Sequence, residues 1–521
     1  MKNIIKTYNV LSVIFLLMFV SACQDDFLDR PSEDTLALDN FYSTDAQVQS
    51  ATKALYTRTW FNFHNKAFFA ITEVGSGNMF TYSSDVNGMV NFSLNSTDPE
   101  LFNAWKSLWS NIAQANTLIN FLEERVGSGV SPDVVQNAIG EAYFIRATSY
   151  FYLVRLWGPV PIIENNLDHV DSPQINTNYV EDIYTFIVSD YQNAISRLVE
   201  KVRGANYANN GHVSKGSAKA MLAKVYLYLQ DYPNAKLYAE EVINSGEFKL
   251  YGGEELPSKT FGDLFLYANN NNEESIFALQ WKASGTYGTG SNCNTQFGYT
   301  SNVTNATYGG VFAPSQDILD IYEAQDLRRK ETFMLPGDEY PNILTGDGSS
   351  LIVPDDINPQ GAGAGIKKYV VGRLNGDITG PVDAWGMMGN NTYIMRYAEL
   401  LLIHAEAIMG GAGVTSDQAA LESFNKIRRR AGFSQGQDYS SITFDDILLE
   451  RRRELAFEGD YWFDLGRIPR SQAINILSNQ NRGDSVTAAY YTPSESDFYM
   501  PYPDGDVAKN PLLLEPPVPY Y

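Results

Sequence analysis

Hydrophobic periodicity divides the chain into two helical regions separated by a long irregular stretch. Apolar residues recur at helical spacing near residues 39–245 and again near 393–460. Between Glu141 and Trp157, the sequence EAYFIRATSYFYLVRLW is apolar around most of its helical circumference. A helix of this kind is buried when other helices surround it. The pattern therefore predicts a mainly helical fold.

Two helical hairpins are predicted in separate parts of the chain. Residues 218–243 give two short helical patterns joined by a tight turn, and residues 396–430 give a second pair joined by the glycine-rich turn 410–413. In the first hairpin, small residues alternate with Leu and Tyr, which resembles the tetratricopeptide (TPR) unit, where small residues let paired helices approach closely. The spacing of the two pairs is not a fixed period. We therefore expect TPR-like pairs within one domain rather than a regular solenoid, with plain helical hairpins as the alternative.

Residues 251–392 lose helical periodicity and become rich in Gly, Asn, Ser, Thr and Tyr. A short apolar segment at 275–281 (SIFALQW) is a strand candidate. Long loops in compact proteins are usually functional or disordered, and regular aromatic residues favour the functional reading. We predict a loop-rich, ligand-binding insertion with a few short strands between an N-terminal helical region, 39–250, and a C-terminal helical region, 393–521.

The N-terminal segment has the pattern of a secretory signal. A basic start is followed by an apolar run too short to span a bilayer, and small residues then precede Cys23. This ending resembles a lipobox, the cleavage site of bacterial lipoproteins, which implies a signal peptide at 1–22 and a lipidated Cys23 at the start of a tether, 23–38. An ordinary secretory signal followed by a chance cysteine is the alternative.

The residues after Cys23 are acidic. Gln24, Asp25, Asp26 and Asp29 resemble the signal with which Bacteroidetes-type bacteria carry lipoproteins to the outer face of the outer membrane, although such carboxylates also simply solvate a tether. No later segment has the length of apolar sequence expected of a transmembrane helix. Attachment to the membrane would therefore depend on the lipid alone.

Composition and motif content narrow the function classes. With 38 Lys and Arg against 61 Asp and Glu, the net charge of −23 disfavours nucleic-acid binding. The four histidines have no metal-site spacing, and neither a phosphate-binding glycine loop nor a nucleophile elbow occurs, so we predict no metal and no cofactor. A glycosidase needs only two suitably spaced carboxylates, which the sequence neither identifies nor excludes.

The densest group of charges lies at 447–459, ILLERRRELAFEG. Three glutamates recur at i, i+4 and i+8 with three arginines between them. Because neighbouring arginines keep carboxylates ionised, an ion-paired helix is favoured over a catalytic one, with 428–430 as candidate partners. Gly459 is interpreted as the C-cap of this helix.

Several long motifs follow one another along the chain. They are the Cys23 lipobox, 141–161 ending in RLWGPVP, 211–229 (GHVSKGSAKAMLAKVYLYL), 396–407 (RYAELLLIHAEA) and 450–467 (ERRRELAFEGDYWFDLGR). In this order they resemble the SusD/RagB family of outer-membrane nutrient-binding lipoproteins found in Bacteroidetes. Two departures are Asp460-Tyr461, where the family more often has a basic residue before Trp462, and Leu514 with the residues after it, which replace the usual Gln-Asn tail.

The resemblance implies a SusD-like fold of TPR-like pairs, displayed on the cell exterior at the outer membrane. It further implies a protein that binds a glycan and delivers it to a SusC-like TonB-dependent transporter, without catalysis. Two other classes stay open from the residues alone: a TPR-type scaffold lipoprotein for a protein or peptide, and a polysaccharide hydrolase.

Sugar binding has its own physical requirements. Sugar rings present apolar C–H faces and hydroxyl groups, so aromatic platforms combined with amides and carboxylates provide stacking and hydrogen bonds together. Loops 73–91 and 282–310 carry such residues, and the ligand site of the resembling family is built from loops at about these places. The predicted platforms are Phe80, Tyr82, Tyr287, Tyr299 and Tyr308, and the predicted polar partners are Asn78, Asp85, Asn292 and Asn302.

Two tryptophans are second choices for the platform. Trp281 ends the predicted strand, a position more typical of the core. Trp385 lies in a loop rich in Gly and Pro, with Asn390 and Asn391 nearby. The identity of the glycan is not encoded in these patterns, because aromatic platforms recognise ring faces generally.

Overall fold

The computed structural model describes residues 42–203, 211–298, 310–345, 347–357, 363–372, 379–482 and 492–521. The predicted signal peptide, Cys23 and the tether lie outside these ranges, as do Tyr299, Asn302 and Tyr308.

The described residues form helices joined by short strands and turns. The helices are α1 (Asp45–Lys53), α2 (Pro99–Arg125), α3 (Pro132–Trp157), α4 (Val180–Arg197), α5 (Lys215–Tyr228), α6 (Tyr232–Ser245), α7 (Cys293–Phe297), α8 (Gln316–Asp320), α9 (Arg328–Thr332), α10 (Tyr397–Met409), α11 (Gln418–Arg430), α12 (Phe444–Glu454), α13 (Tyr461–Gly466), α14 (Arg470–Ser478) and α15 (Asp504–Val507). The strands are β1 (Met79–Phe80), β2 (Ser275–Leu279), β3 (Ala313–Pro314), β4 (Phe333–Met334), β5 (Glu339–Leu344), β6 (Ser350–Ile352), β7 (Gly365–Ile366), β8 (Thr392–Arg396), β9 (Val414–Thr415) and β10 (Ile442–Thr443).

Local sequence sets the ends of the long helices. The Asp98 carboxylate accepts hydrogen bonds of 2.9 Å from the amides of Glu100 and Leu101, and Pro99 occupies the first position of α2. At the other end of a helix, Gly246 adopts φ +65° and stops α6.

The helices pack in a continuous order. From α2 to α6 each helix contacts the next, and α6 then contacts α10, which contacts α11 and α12. The two hairpins predicted from sequence, α5–α6 and α10–α11, are therefore neighbours in space although the long insertion separates them in the chain. This arrangement confirms the mainly helical fold with TPR-like pairs. The sequence did not predict that the two pairs are adjacent, because they do not recur at a fixed period.

A buried two-stranded ladder joins the ends of the irregular stretch. Strands β2 and β8 are antiparallel, with Ser275 opposite Arg396 and Leu279 opposite Thr392, and every residue of both strands is buried. Strand β2 comes after α6, the second helix of the first hairpin, and β8 runs directly into α10. The loops between them consequently start and finish at one fixed point beside the helices.

Helix α3 lies at the centre of the helical body, as its apolar sequence predicts. Its Arg146 is buried and donates from Nε and Nη2 to the two carboxylate oxygens of Asp190 on α4, at 2.7 and 2.8 Å. The hydroxyl groups of Thr148 and Tyr191 are 2.9 Å apart across the same interface. Polar residues of α3 thus find their hydrogen-bond partners on α4 inside the core.

The predicted ion-paired helix is confirmed, but its end was predicted wrongly. Helix α12 finishes at Glu454 with Leu455 as C-cap, so Gly459 is not its cap. Phe457 takes a left-handed conformation, φ +66°, which turns the chain before Gly459 is reached. Glu454 pairs with Arg430, as the sequence suggested.

Candidate functional site

Two aromatic rings stand in solvent at the edge of the loop-rich region. Tyr287, from the loop after β2, is 50% exposed, and Trp385, from the loop before β8, is 54% exposed. Their rings meet edge to face, with centroids 5.9 Å apart and planes inclined by 73°. Phe61 supports Tyr287 from the core side, with a centroid distance of 5.2 Å. We call Tyr287 and Trp385 the aromatic platform.

Hydrogen bonds between the two loops fix the platform. One oxygen of the buried Asp383 accepts from the amides of Trp385 and Met387, at 2.9 and 3.1 Å, and the other accepts from the amide of Gly285 at 3.0 Å. The indole Nε1 of Trp385 donates to the carbonyl of Gly285, also at 3.0 Å. Because each loop holds the other, both rings keep their orientation without a ligand.

A cleft of about 600 Å³ adjoins the loop that carries Tyr287. Ser284 and Thr289 of that loop line it together with Gln280, Trp281 and Lys282. Lys282 is exposed, whereas Trp281 is buried and its Nε1 donates to the Thr392 hydroxyl at 2.8 Å. Trp281 is thus a wall of the cleft anchored in the core.

Three amide side chains form a cluster at the same cleft. Asn271 and Gln280 exchange two hydrogen bonds of 2.9 Å, and the Asn391 amide donates to the oxygens of both, at 3.1 and 3.0 Å. Amides carry both donors and acceptors, so this amide cluster suits hydroxyl ligands. Asn390, by contrast, is buried and donates to the carbonyls of Phe265 and Thr379.

The other predicted loop contains its own aromatic pair. Phe80 and Tyr82 are half-buried and meet edge to face, with centroids 4.9 Å apart. Asp85 nearby pairs with Lys66 and accepts from the Ser83 hydroxyl. Burial raises the pKa of Asp85, but these partners outweigh it and leave the pKa below its usual value.

Two of the predicted polar partners face the interior. Asn78 is buried, donates to Glu73 at 2.9 Å and accepts from Arg452 Nε at 2.8 Å. Asn292 is also buried and donates to Asn65 at 2.8 Å. In the structure these two amides hold loops in place and lie away from the platform.

The structure thus brings together residues that sequence reasoning ranked differently. Tyr287 and the second choice Trp385 form the platform, while Phe80, Tyr82 and Asp85 form a separate group. The amide cluster was missed. Its sequence signals were the asparagine run at 269–272 and Asn391, which was noted beside Trp385, and the β2–β8 pairing brings them together with Gln280.

The described residues offer neither a metal site nor a membrane-spanning helix. Across the described ranges, no three His, Cys, Asp or Glu side chains are grouped so as to hold a metal ion. Nor does that part of the chain contain a helix long and apolar enough to cross a membrane.

Family models match both halves of the chain. Residues 273–521 match the model described as the SusD family, and residues 26–227 match the model described as starch-binding associating with outer membrane. A SusD-like protein of Bacteroides ovatus is 34% identical, with 96% of each chain covered.

Solved structures share the fold. A crystal structure with xylogluco-oligosaccharide is 32% identical and has a TM-score of 0.79, covering 91% of this chain and 99% of that one. Surface glycan-binding protein A from Bacteroides thetaiotaomicron, in complex with laminarihexaose, is 21% identical with a TM-score of 0.68, covering 90% and 98%. The similarity in sequence and the similarity in fold therefore both extend over nearly the whole chain.

Proposed function

The chain belongs to the SusD family, and we propose that it binds an oligo- or polysaccharide at the cell surface and delivers it to a SusC-like TonB-dependent transporter. In this proposal Cys23 carries the lipid that holds the protein at the outer membrane, facing the exterior, and no catalysis takes place. The observation that supports glycan binding is the solvent-exposed pair of Tyr287 and Trp385 beside a polar cleft.

The platform offers the two kinds of contact that a sugar chain requires. Ring faces of Tyr287 and Trp385 inclined by 73° suit stacking against two sugar rings that are turned relative to each other. The adjoining amide cluster and Lys282 supply donors and acceptors for hydroxyl groups. Since loop hydrogen bonds already orient the rings, little conformational entropy is lost on binding.

The class of glycan follows from charge and from the relatives. The structure with xylogluco-oligosaccharide makes xyloglucan the first ligand to test. With a net charge of −23 the protein as a whole repels polyanions, so a neutral polysaccharide is favoured over polygalacturonate.

Native affinity electrophoresis of the protein lacking residues 1–23 tests this proposal. We expect gels containing a neutral glycan, xyloglucan first, to retard the protein, and Tyr287→Ala and Trp385→Ala each to weaken retention roughly tenfold or more. Tyr179→Ala is the matched control, because Tyr179 is also exposed, at 44%, and lies just before α4. Its retention stays at the wild-type level.

Other outcomes point to other sites or functions. Retention that survives both platform changes but disappears with Tyr82→Ala would place the site in loop 73–91. If none of the glycans tested retards the protein, the result would contradict glycan binding and favour a protein or peptide ligand. Release of reducing ends from a retained glycan would identify a hydrolase.

A further inference from the structure

A second, smaller pocket lies among the helices. It has a volume of about 150 Å³ and is bounded by residues of α3, α4, α5 and α13, by the first residue of α14, and by the chain on either side of α14. Its lining includes Arg155, Arg470, Tyr184, Tyr228 and Gly466. None of these residues belongs to the platform or its cleft.

The guanidinium of Arg155 is clamped between aromatic rings. It lies 3.7 Å from the ring centroid of Phe151 and 3.9 Å from that of Phe463. Its Nε donates to the carbonyl of Phe151 at 2.8 Å, and Nη1 reaches the Tyr228 hydroxyl at 3.5 Å. Among the described residues no carboxylate lies within 4.0 Å of this group, so its charge is oriented but not neutralised.

Arg470 at the start of α14 is likewise packed against an aromatic ring and forms no ion pair among the described residues. Its guanidinium lies 3.9 Å from the ring centroid of Phe498, and its Nη1 is buried without a hydrogen-bond partner in the part of the chain that is described. Burial lowers the pKa of Arg470, with Tyr499 and Glu495 opposing this only at longer range. A buried donor without a partner is costly, and a bound acceptor removes that cost.

The third arginine of the pocket shows what a satisfied guanidinium looks like. Arg467 is held by Glu406 through two hydrogen bonds and by Asp464 Oδ1 at 3.0 Å. Nearby Arg451 likewise pairs with Asp464 and Glu399. In a chain with a net charge of −23, carboxylates are plentiful. Arg155 and Arg470 nevertheless form no ion pair with any carboxylate in the described ranges.

We propose that this pocket binds a small oxyanion, a carboxylate or a phosphate group, between Arg155 and Arg470. The volume corresponds to a few water molecules, at roughly 30 Å³ each, or to one such anion. Guanidinium groups match the planar or tetrahedral oxygens of these anions, and the hydroxyl groups of Tyr184 and Tyr228 supply further donors. The site is independent of the proposed glycan site.

Thermal unfolding of the full mature chain with inorganic phosphate and, separately, with acetate at constant ionic strength tests the proposal. A ligand that binds only the folded state raises the unfolding temperature in a saturable way. We expect one of the two anions to do so in the wild type. Arg470→Gln is expected to raise the Kd about tenfold or more, because a charge-assisted hydrogen bond is lost.

Two further variants separate binding from folding. Gly466 belongs to the pocket lining and a Cβ there meets no atom within 4 Å, so Gly466→Leu adds a side chain at the pocket without overpacking and is expected to weaken the saturable shift while both arginines stay in place. Arg58→Gln, at an exposed arginine without an ion pair among the described residues, keeps the full shift. The proposal is overturned if neither anion gives a saturable shift, or if Arg470→Gln and Gly466→Leu respond as the wild type does.

Discussion

At the scale of single residues, side chains of similar type take different places in the fold. Asn78 and Asn391 both lie in loops rich in polar residues, yet Asn78 bonds to Glu73 and Arg452 in the core while Asn391 joins the amide cluster at the cleft. The two tryptophans of this region differ in exposure, because Trp281 is buried and Trp385 is exposed. Their roles depend on neighbours that are distant in sequence.

Glu73 is the residue whose protonation should mark the pH dependence of stability. It is fully buried, and burial raises its pKa from 4.5 to about 7 despite hydrogen bonds from Asn78 and from the amide of Gly459. Between these two pKa values the folded state keeps a proton that the unfolded state has lost. Stability therefore falls as pH rises through this window.

Glu73→Gln is expected to remove this pH dependence. From pH 5 to pH 8 the free energy of unfolding of the wild type falls, and in the variant it should fall by about 3 kcal/mol less. The figure follows from about 1.4 kcal/mol for each pKa unit. Urea unfolding at the two pH values measures it. Glu124→Gln, on an exposed glutamate of α2, is the control and keeps the wild-type difference. Equal differences in all three proteins would refute the assignment.

At the scale of elements, chain turns require particular residues where packing is tight. After α12 the chain turns through Phe457 and Gly459, and Gly459 has φ +88°. A Cβ added at Gly459 would overlap the ring of Phe68, and the Gly459 amide donates to Glu73 at 2.5 Å. Both the backbone conformation and the space there suit only glycine.

Gly459→Ala is therefore expected to destabilise the protein by roughly 2–4 kcal/mol, from backbone strain together with overpacking. Gly413→Ala separates the two contributions, because Gly413 also has a positive φ, +76°, but open space around its Cβ position. This control should lose only about 1 kcal/mol. Urea unfolding of both variants measures the difference, and equal losses would show that the Phe68 contact does not matter.

At the scale of the whole molecule, buried ion pairs connect the insertion to the C-terminal helices. Glu454 of α12 meets Arg328 of α9 and Arg396 of β8, each at 2.9 Å, as well as Arg430 of α11. Glu274 beside β2 meets Arg396 and Arg430 as well. Burial raises the pKa of Glu454, but the three guanidinium groups outweigh it and hold the pKa well below its usual value.

Glu454→Gln is expected to cost about 3–5 kcal/mol at pH 7, because it leaves buried arginines without their counter-charge. The ionised carboxylate contributes its stability above its unfolded pKa and loses it as pH falls through the lower folded pKa, so the variant should also lose part of the acid sensitivity. Chemical denaturation at pH 7 and pH 4 measures both effects.

A surface pair is the matched control for this network. Glu200 is 71% exposed and pairs with Lys215 at 2.6 Å. Glu200→Gln should change stability by no more than about 1 kcal/mol. A loss at Glu454 no larger than the loss at Glu200 would contradict a structural role for the buried network.

The sequence by itself determined the elements and the class of protein. Helical periodicity acts over a few neighbouring residues and predicted the helices and the hairpins, while the ordered motifs, such as the one ending in RLWGPVP, resembled the SusD/RagB family and implied its fold. The sequence also predicted that the helix carrying Glu454 is ion-paired, with 428–430 as candidate partners, and the structure supplies the specific pair of Glu454 and Arg430.

Only the tertiary structure decided which residues share a surface. The α6–α10 contact and the β2–β8 ladder bring Asn271 to Asn391 and the Tyr287 loop to Trp385, across about a hundred residues of chain in each case. The same packing places Arg155 and Arg470 in one pocket, where neither is ion-paired with a carboxylate of the described residues. Periodicity is a local property, whereas a binding site depends on the long-range packing that places distant loops side by side.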